Sequence, residues 1–117
     1  MTQSTLDVLS HHMTCVAQSD VEGIMEDYTD SSILFSPDGV LEDKAAIRQF
    51  FVTLTGTMMP AGTNFVSVRQ DVRGDTAFLL WQAESPAMKF HLGSETLVIR
   101  DGKIVTHSFG AAITRKN

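Results

Sequence analysis

The chain has one cysteine, Cys15, in 117 residues, so no internal disulfide can staple it. No group of Cys and His stands at zinc-binding spacing either. Basic charge is scarce: nine Lys and Arg face fourteen Asp and Glu, for a formal net charge of −5. The basic residues cluster only at Arg115-Lys116, which argues against nucleic acid as a partner. No apolar run approaches membrane-spanning length, and Met1-Thr2-Gln3-Ser4-Thr5 lacks the charged-then-apolar pattern of a signal peptide. The expectation is a soluble, cytoplasmic protein that needs no membrane. Repeats, low-complexity tracts and linkers are also missing. What remains, 43% apolar and 20% charged, is the composition of one globular domain over residues 1–117, long enough to close one hydrophobic core.

The order of periodicities predicts the architecture. Leu6, Leu9, Met13, Val16 and Ala17 recur at helical spacing, with His11 on the far side of that stripe and His12 at its seam. Ser19-Asp20-Val21-Glu22 fits a capping box for a second helix burying Val21, Ile24, Met25 and Tyr28. Gly23 weakens that helix, which must be held by packing. A short strand, residues 32–35, ends at the turn Ser36-Pro37-Asp38-Gly39. Asp43 is placed to cap a third helix with the stripe Ile47, Phe50, Phe51, Leu54 and Met58, stopped by Pro60 and Gly62.

From Asn64 the period changes to two. Strands are expected at 65–69, 76–84, 88–100 and 103–109. Two turns suit the last hairpin. A three-residue turn Arg100-Asp101-Gly102 sets Glu95 opposite His107, and a two-residue turn Asp101-Gly102 sets Glu95 opposite Ser108. The fold expectation is α+β: three amino-terminal helices packed in a strongly curved, mainly antiparallel sheet, a cone-shaped α+β barrel. In the strand 76–84, Ala77, Leu79, Trp81 and Ala83 are apolar on one parity, and Phe78 and Leu80 on the other. With helices on one face, the row containing Leu79 and Trp81 is expected on the outer face, covered by a second copy in a homodimer.

The segments 19–28 (Ser-Asp-Val-Glu-Gly-Ile-Met-Glu-Asp-Tyr), 45–51 (Ala-Ala-Ile-Arg-Gln-Phe-Phe) and 101–105 (Asp-Gly-Lys-Ile-Val), in this order of elements, carry a resemblance. The chain resembles the nuclear transport factor 2-like superfamily, in its ketosteroid isomerase and SnoaL-like branch. The resemblance implies a cone with an apolar, ligand-sized cavity, often in a homodimer, and a range of chemistries: isomerases, cyclases, dehydratases, epoxide hydrolases and non-catalytic binding modules. Carried over by position, the isomerase's tyrosine donor falls on His12 and its carboxylate base on Ser36, before the matching Pro37. Its protonated acid falls on Glu95, and its supporting cavity aromatics fall on Tyr28 and Phe51. With no carboxylate at the base position, ketosteroid isomerase activity itself is not expected. The family parity, which favours the three-residue turn, aims Glu95 and His107 into the cone.

Proton transfer near neutral pH needs a His or a desolvated carboxylate. The catalytic candidates are therefore Glu95, His107 and His12, with Glu95 orienting the imidazole and His107 acting as acid or base. The competing reading of the Glu95–His107 pair is a satisfied structural contact. Tyr28, Phe51, Leu80, Gln82, Glu84, Leu97 and Phe109 are the candidate lining of a cavity of roughly 300 Å³ or more. His91 is expected to be exposed, Cys15 inert, and Met25, Met58, Met59 and Met88 core filler. His12, Glu95 and His107 could converge in a narrow cone, but their separation in sequence gives no signal for a metal, and none is expected, nor any cofactor. Two functions compete. One is a cofactor-free isomerase, lyase or hydrolase acting on a small apolar compound. The other is a ligand-binding or dimerisation module whose cavity is vestigial, which a void filled by Phe51, Phe109 and Tyr28 would favour.

Overall fold

The structure, a computed structural model, describes residues 4–116. Helix α1 (Thr5–Ala17) is capped by Ser4, whose hydroxyl accepts the Asp7 amide. Its buried face holds Val8, Leu9, His12 and Cys15, while Leu6 and Ala17 are exposed. The stripe expected from the apolar residues is therefore rotated toward His12 and Cys15. A pattern that counts His as polar cannot find a face on which His is buried.

Helix α2 (Val21–Met25) is short, and its cap is Asp20, which accepts the Gly23 amide. The expected Ser19–Glu22 box does not form. Ser19 lies at φ 56° and donates to the Thr55 carbonyl, and Glu22 pairs with Arg48 of the third helix. Tyr28 opens a strand rather than ending the helix. Strand β1 (Tyr28–Ser36) turns through Pro37-Asp38 into β2 (Gly39–Leu41). Asp43 caps α3 (Lys44–Thr53) by accepting the Ala46 amide, and α3 runs on into a π-helical turn, Leu54–Met58. Strands β3 (Asn64–Arg73), β4 (Thr76–Glu84), β5 (Met88–Arg100) and β6 (Lys103–Arg115) complete the chain.

The six strands form one open, curved sheet in the order β2-β1-β6-β5-β4-β3, antiparallel throughout except for the parallel β1–β6 pair. The α+β architecture expected from the sequence is the one observed. Among the described residues no helix is long and apolar enough to cross a membrane.

The parity of β4 is opposite to expectation. Ala77, Leu79, Trp81 and Ala83 are buried under the chain's own helices, with Trp81 only 2% exposed. Leu80, Gln82 and Glu84 point to the convex side instead. Both parities carry apolar residues, so hydrophobicity alone could not choose the face. What decides it is Gly93, the cross-strand partner of Trp81. The indole lies flat over this glycine, and a Cβ there would come within 2.2 Å of the ring. Gly93→Ala is therefore expected to destabilise the fold by about 1–3 kcal/mol through overpacking. It should also shift Trp81 emission, because the indole must leave its seat. Urea unfolding followed by Trp81 fluorescence checks this, and an unchanged midpoint with unchanged emission would refute the packing argument.

Candidate functional site

The β5–β6 hairpin turns on two residues, Asp101 (φ 53°) and Gly102 (φ 77°), the left-handed pair of a tight hairpin turn. The three-residue turn is thus not the one formed. Arg100 pairs with Lys103 and Ile99 with Ile104, but Val98 pairs with Thr106. Val105 is an extra residue, a β-bulge, and it reverses the parity of everything after it on β6. Because of that bulge His107 faces Leu97 and Glu95 faces Phe109. Neither expected pairing occurs. Glu95 and His107 instead stand diagonally on the inward face, a separation that long side chains span.

They do meet. His107 Nε2 lies 2.7 Å from Glu95 Oε1, and His107 Nδ1 lies 2.8 Å from the Tyr28 hydroxyl. The Trp81 indole N–H donates to Glu95 Oε2 at 2.7 Å. An indole N–H can only donate, so this end of the chain has a fixed polarity. With the carboxylate accepting at both oxygens, His107 carries its hydrogen on Nε2 and accepts the Tyr28 hydroxyl on Nδ1. Tyr28 stays a phenol: burial first, then the charges of Glu95 and Asp27, hold its pKa well above the ordinary value. The result is a four-membered buried chain, Tyr28–His107–Glu95–Trp81, drawn from β1, β6, β5 and β4.

His12 completes the group from α1. Its ring packs edge-on against Tyr28, Phe51 and His107 at centroid distances of 6.1, 5.6 and 5.7 Å. It is 1% exposed, not at a seam, and its Nδ1 has no hydrogen-bond partner among the described residues. Burial, then the neighbouring His107 and His11, push its pKa down to about 3, so the imidazole is neutral at physiological pH.

The space beside these groups is small. A void of about 20 Å³ is bordered by His12, Phe51, Leu54, Met59, Trp81, Glu95 and Phe109, with Met13, Val16 and Phe65 toward the outside. The expected cavity of roughly 300 Å³ or more is thus not formed there. His107, Tyr28 and Leu97 do not border the void. Glu95 meets it and His107 stands behind. Leu80, Gln82 and Glu84 are removed from the lining altogether. The Gln82 amide donates to the His91 carbonyl, Glu84 pairs with Lys116, and both Gln82 and Glu84 edge an outer hollow of about 480 Å³ that none of His12, Glu95 and His107 touches. His91 is exposed, as expected.

Two clefts flank the void. One, about 170 Å³, is lined by Met13, Val16, Ala17, Met59, Pro60, Thr63 and Phe65. The other, about 290 Å³, holds Ser36, Asp38, Leu41, Phe50, Met58 and, shared with the void, Leu54 and Phe109. Sequence reasoning missed Trp81 as an anchor of Glu95 and Met13, Met59 and Phe65 as lining. The usable signal was the indole N–H, which needs an acceptor wherever it is buried.

The SnoaL-like domain profile matches residues 9–107. The chain belongs to the SnoaL-like domain family. Comparison with curated proteins by sequence gives no match. Among solved structures it is similar to an NTF2-like protein of unknown function from Cytophaga hutchinsonii (TM-score 0.74, 10% identity, covering 96% of this chain and 93% of that one). It is similar to SalBIII, an epoxide hydrolase/cyclase-like enzyme of pyran ring formation in the polyether salinomycin (TM-score 0.75, 17% identity, 96% and 95%). It is also similar to a de novo designed protein with a curved β-sheet (TM-score 0.76, 16% identity, 92% and 84%). At these identities the likeness establishes the shared SnoaL-like and NTF2-like fold, which often carries cyclase, isomerase or hydrolase-type activity.

A buried, unpartnered imidazole nitrogen is destabilising. His12→Leu is expected to raise stability by about 1 kcal/mol near neutral pH. The sign of the pH effect follows from the lowered pKa. Between about 6.5 and about 3 the unfolded chain takes up a proton on His12 that the folded chain refuses. Wild-type stability contributed by this group is therefore whole above that window and is lost as pH falls through it, by up to about 1.4 kcal/mol per unit. The margin of His12→Leu over wild type should widen between about pH 7 and about pH 5 in urea unfolding. Parallel pH dependence of the two proteins would show that His12 does not resist protonation.

Proposed function

We propose that the chain is an enzyme that moves a proton on a small, mostly apolar compound without a cofactor, in the isomerase, lyase or hydrolase class. Glu95 serves as the base and His12 as its neutral hydrogen-bonding partner. The observation that carries this reading is the void's chemistry: His12 and Glu95 are the ionisable groups on a wall that is otherwise apolar. Trp81 and His107 fix the carboxylate in place, so its remaining lone pairs face the void with little freedom to reorganise. A neutral His12 N–H, having no competing positive charge, would donate to a substrate oxygen where charge develops as Glu95 accepts the proton. The similarity to SalBIII, an epoxide hydrolase/cyclase-like enzyme, supports the reaction class.

Substrate access has a route in the wall. Met13, Val16, Met59 and Phe65 line both the void and the 170 Å³ cleft, so rotation of two flexible methionines would join them. Met59 directly follows the π-helical turn, which carries Gly56; single π turns often mark functional sites.

The binding-module reading rests on one observation of its own: about 20 Å³ admits a water-sized guest and no organic ligand. A second copy remains the proposed protein partner in either case. Its contact belongs on the convex face, where Leu92 and Val66, the cross-strand partner of Gln82, are exposed, and not on the Trp81 row.

The test is exchange of carbon-bound hydrogen for deuterium in a panel of small ketones, enones and lactones, with epoxide opening assayed alongside. The enzyme reading expects catalysed exchange or opening that Glu95→Gln lowers by on the order of 100-fold or more. Turnover unaffected by Glu95→Gln would sink the assignment of the base. A panel that gives no reaction and no shift in Trp81 emission would favour the module with a vestigial cavity.

A further inference from the structure

We infer that His12, Glu95 and His107 form a binding site for a first-row divalent cation such as Zn²⁺, with one nitrogen from each imidazole and one carboxylate oxygen as ligands. This goes beyond the proton-transfer reading, since it concerns what the three side chains hold without a substrate. The inference stands on their placement. The three ligand atoms lie within 4.8 Å of one another, and all three residues are buried. They come from α1, β5 and β6, which explains why sequence spacing gave no sign of them.

Two further observations point to a ligand. The fully buried His12 Nδ1 lacks a hydrogen-bond partner among the described residues, a defect that native interiors rarely keep without use. The neighbouring void is bordered by two of the three ligands, His12 and Glu95. Two imidazoles and one carboxylate, with a coordination position left over, are a donor set that Zn²⁺ and its neighbours accept.

The outer layer is in place as well. Ligating histidines are usually oriented by a hydrogen bond at the other ring nitrogen, and ligating carboxylates by a donor on the second oxygen. Tyr28 meets His107 Nδ1, and Trp81 meets Glu95 Oε2. The proton balance closes without an added reactant. In the direct pair, His107 carries hydrogen on Nε2. On ion binding the ring changes tautomer, Nδ1–H donates to the Tyr28 oxygen, and Nε2 turns its lone pair to the cation in place of the hydrogen bond to Glu95. A cation on Glu95 occupies the lone pair that proton transfer needs, so ion and substrate would exclude each other.

The experiment titrates chelator-stripped protein with Co²⁺, followed by visible absorption and by quenching of Trp81, the chain's one tryptophan, with Zn²⁺ as competitor. The expected result is a saturable Co²⁺ spectrum and quenching that Zn²⁺ displaces. His12→Leu and Glu95→Gln should each weaken binding by on the order of 100-fold or more. His11→Ala, which alters the separate cluster of exposed His11 and Glu26 with buried Asp27, should leave it unchanged. Absence of a saturable signal at millimolar Co²⁺ would overturn the proposal. So would a signal abolished by His11→Ala and kept by His12→Leu. Should Glu95→Gln fail to fold, His12→Leu decides alone, since it removes a buried defect. Ion binding measured without substrate separates the two ideas: Co²⁺ bound by a protein inert to the whole compound panel leaves this inference standing and removes the proton-transfer reading.

Discussion

A carboxylate under a sheet governs this molecule. Moving an ion out of water costs several kcal/mol even after relaxation, unless hydrogen bonds replace the lost hydration. Glu95 receives two, from Trp81 and His107, and each donor imposes a condition on distant sequence. Trp81 can reach Oε2 only by lying over a residue without a Cβ, which fixes Gly93. His107 can reach Oε1 only if β6 has its present parity, which depends on the bulge at Val105. Tyr28 must then stand at the first position of β1, so α2 has to end by Met25. A tight turn, a bulge, a glycine and a short helix are thus four local departures from regularity that serve one buried charge.

The elements were legible in the sequence because their periods are strong. Asp43 capping α3 and the change to alternation at Asn64 are each set by local chemistry that acts within a few residues; the Asp101-Gly102 turn is one of two that the sequence allows, and the family parity favours the other. The faces were less legible. In β4 both parities are apolar, so the hydrophobic pattern has two equal solutions, and only the polar needs of the indole N–H distinguish them. In α1 the buried face includes His12 and Cys15, which a polarity pattern assigns to the rim. The site inherits both errors. Glu95, His107, His12 and Tyr28 are indeed gathered, but Leu80, Gln82 and Glu84 fall outside because of the β4 parity. The bulge at Val105 has no compositional mark at all. It converts a two-residue turn, which alone would have sent His107 to the convex side, into an inward histidine.

Most of this chain's core follows the ordinary rule: Val8, Leu9, Ile24, Leu34, Ile47, Leu97 and Ile104 are apolar and at most 1% exposed. The polar group is concentrated at one place, where α1 faces β5 and β6.

Within that group the four linked residues and His12 differ in kind. Tyr28, His107, Glu95 and Trp81 satisfy one another, and a satisfied buried network can persist for structural reasons alone. His12 cannot be explained that way. It adds no hydrogen bond through its buried Nδ1 among the described residues, it resists the proton that would make it soluble, and a leucine would fill similar space without the desolvation penalty. The network's hydrogen bonds account for its four members. The orphaned imidazole, set against the void and beside the oriented carboxylate, is the part that the network's own hydrogen bonds do not account for.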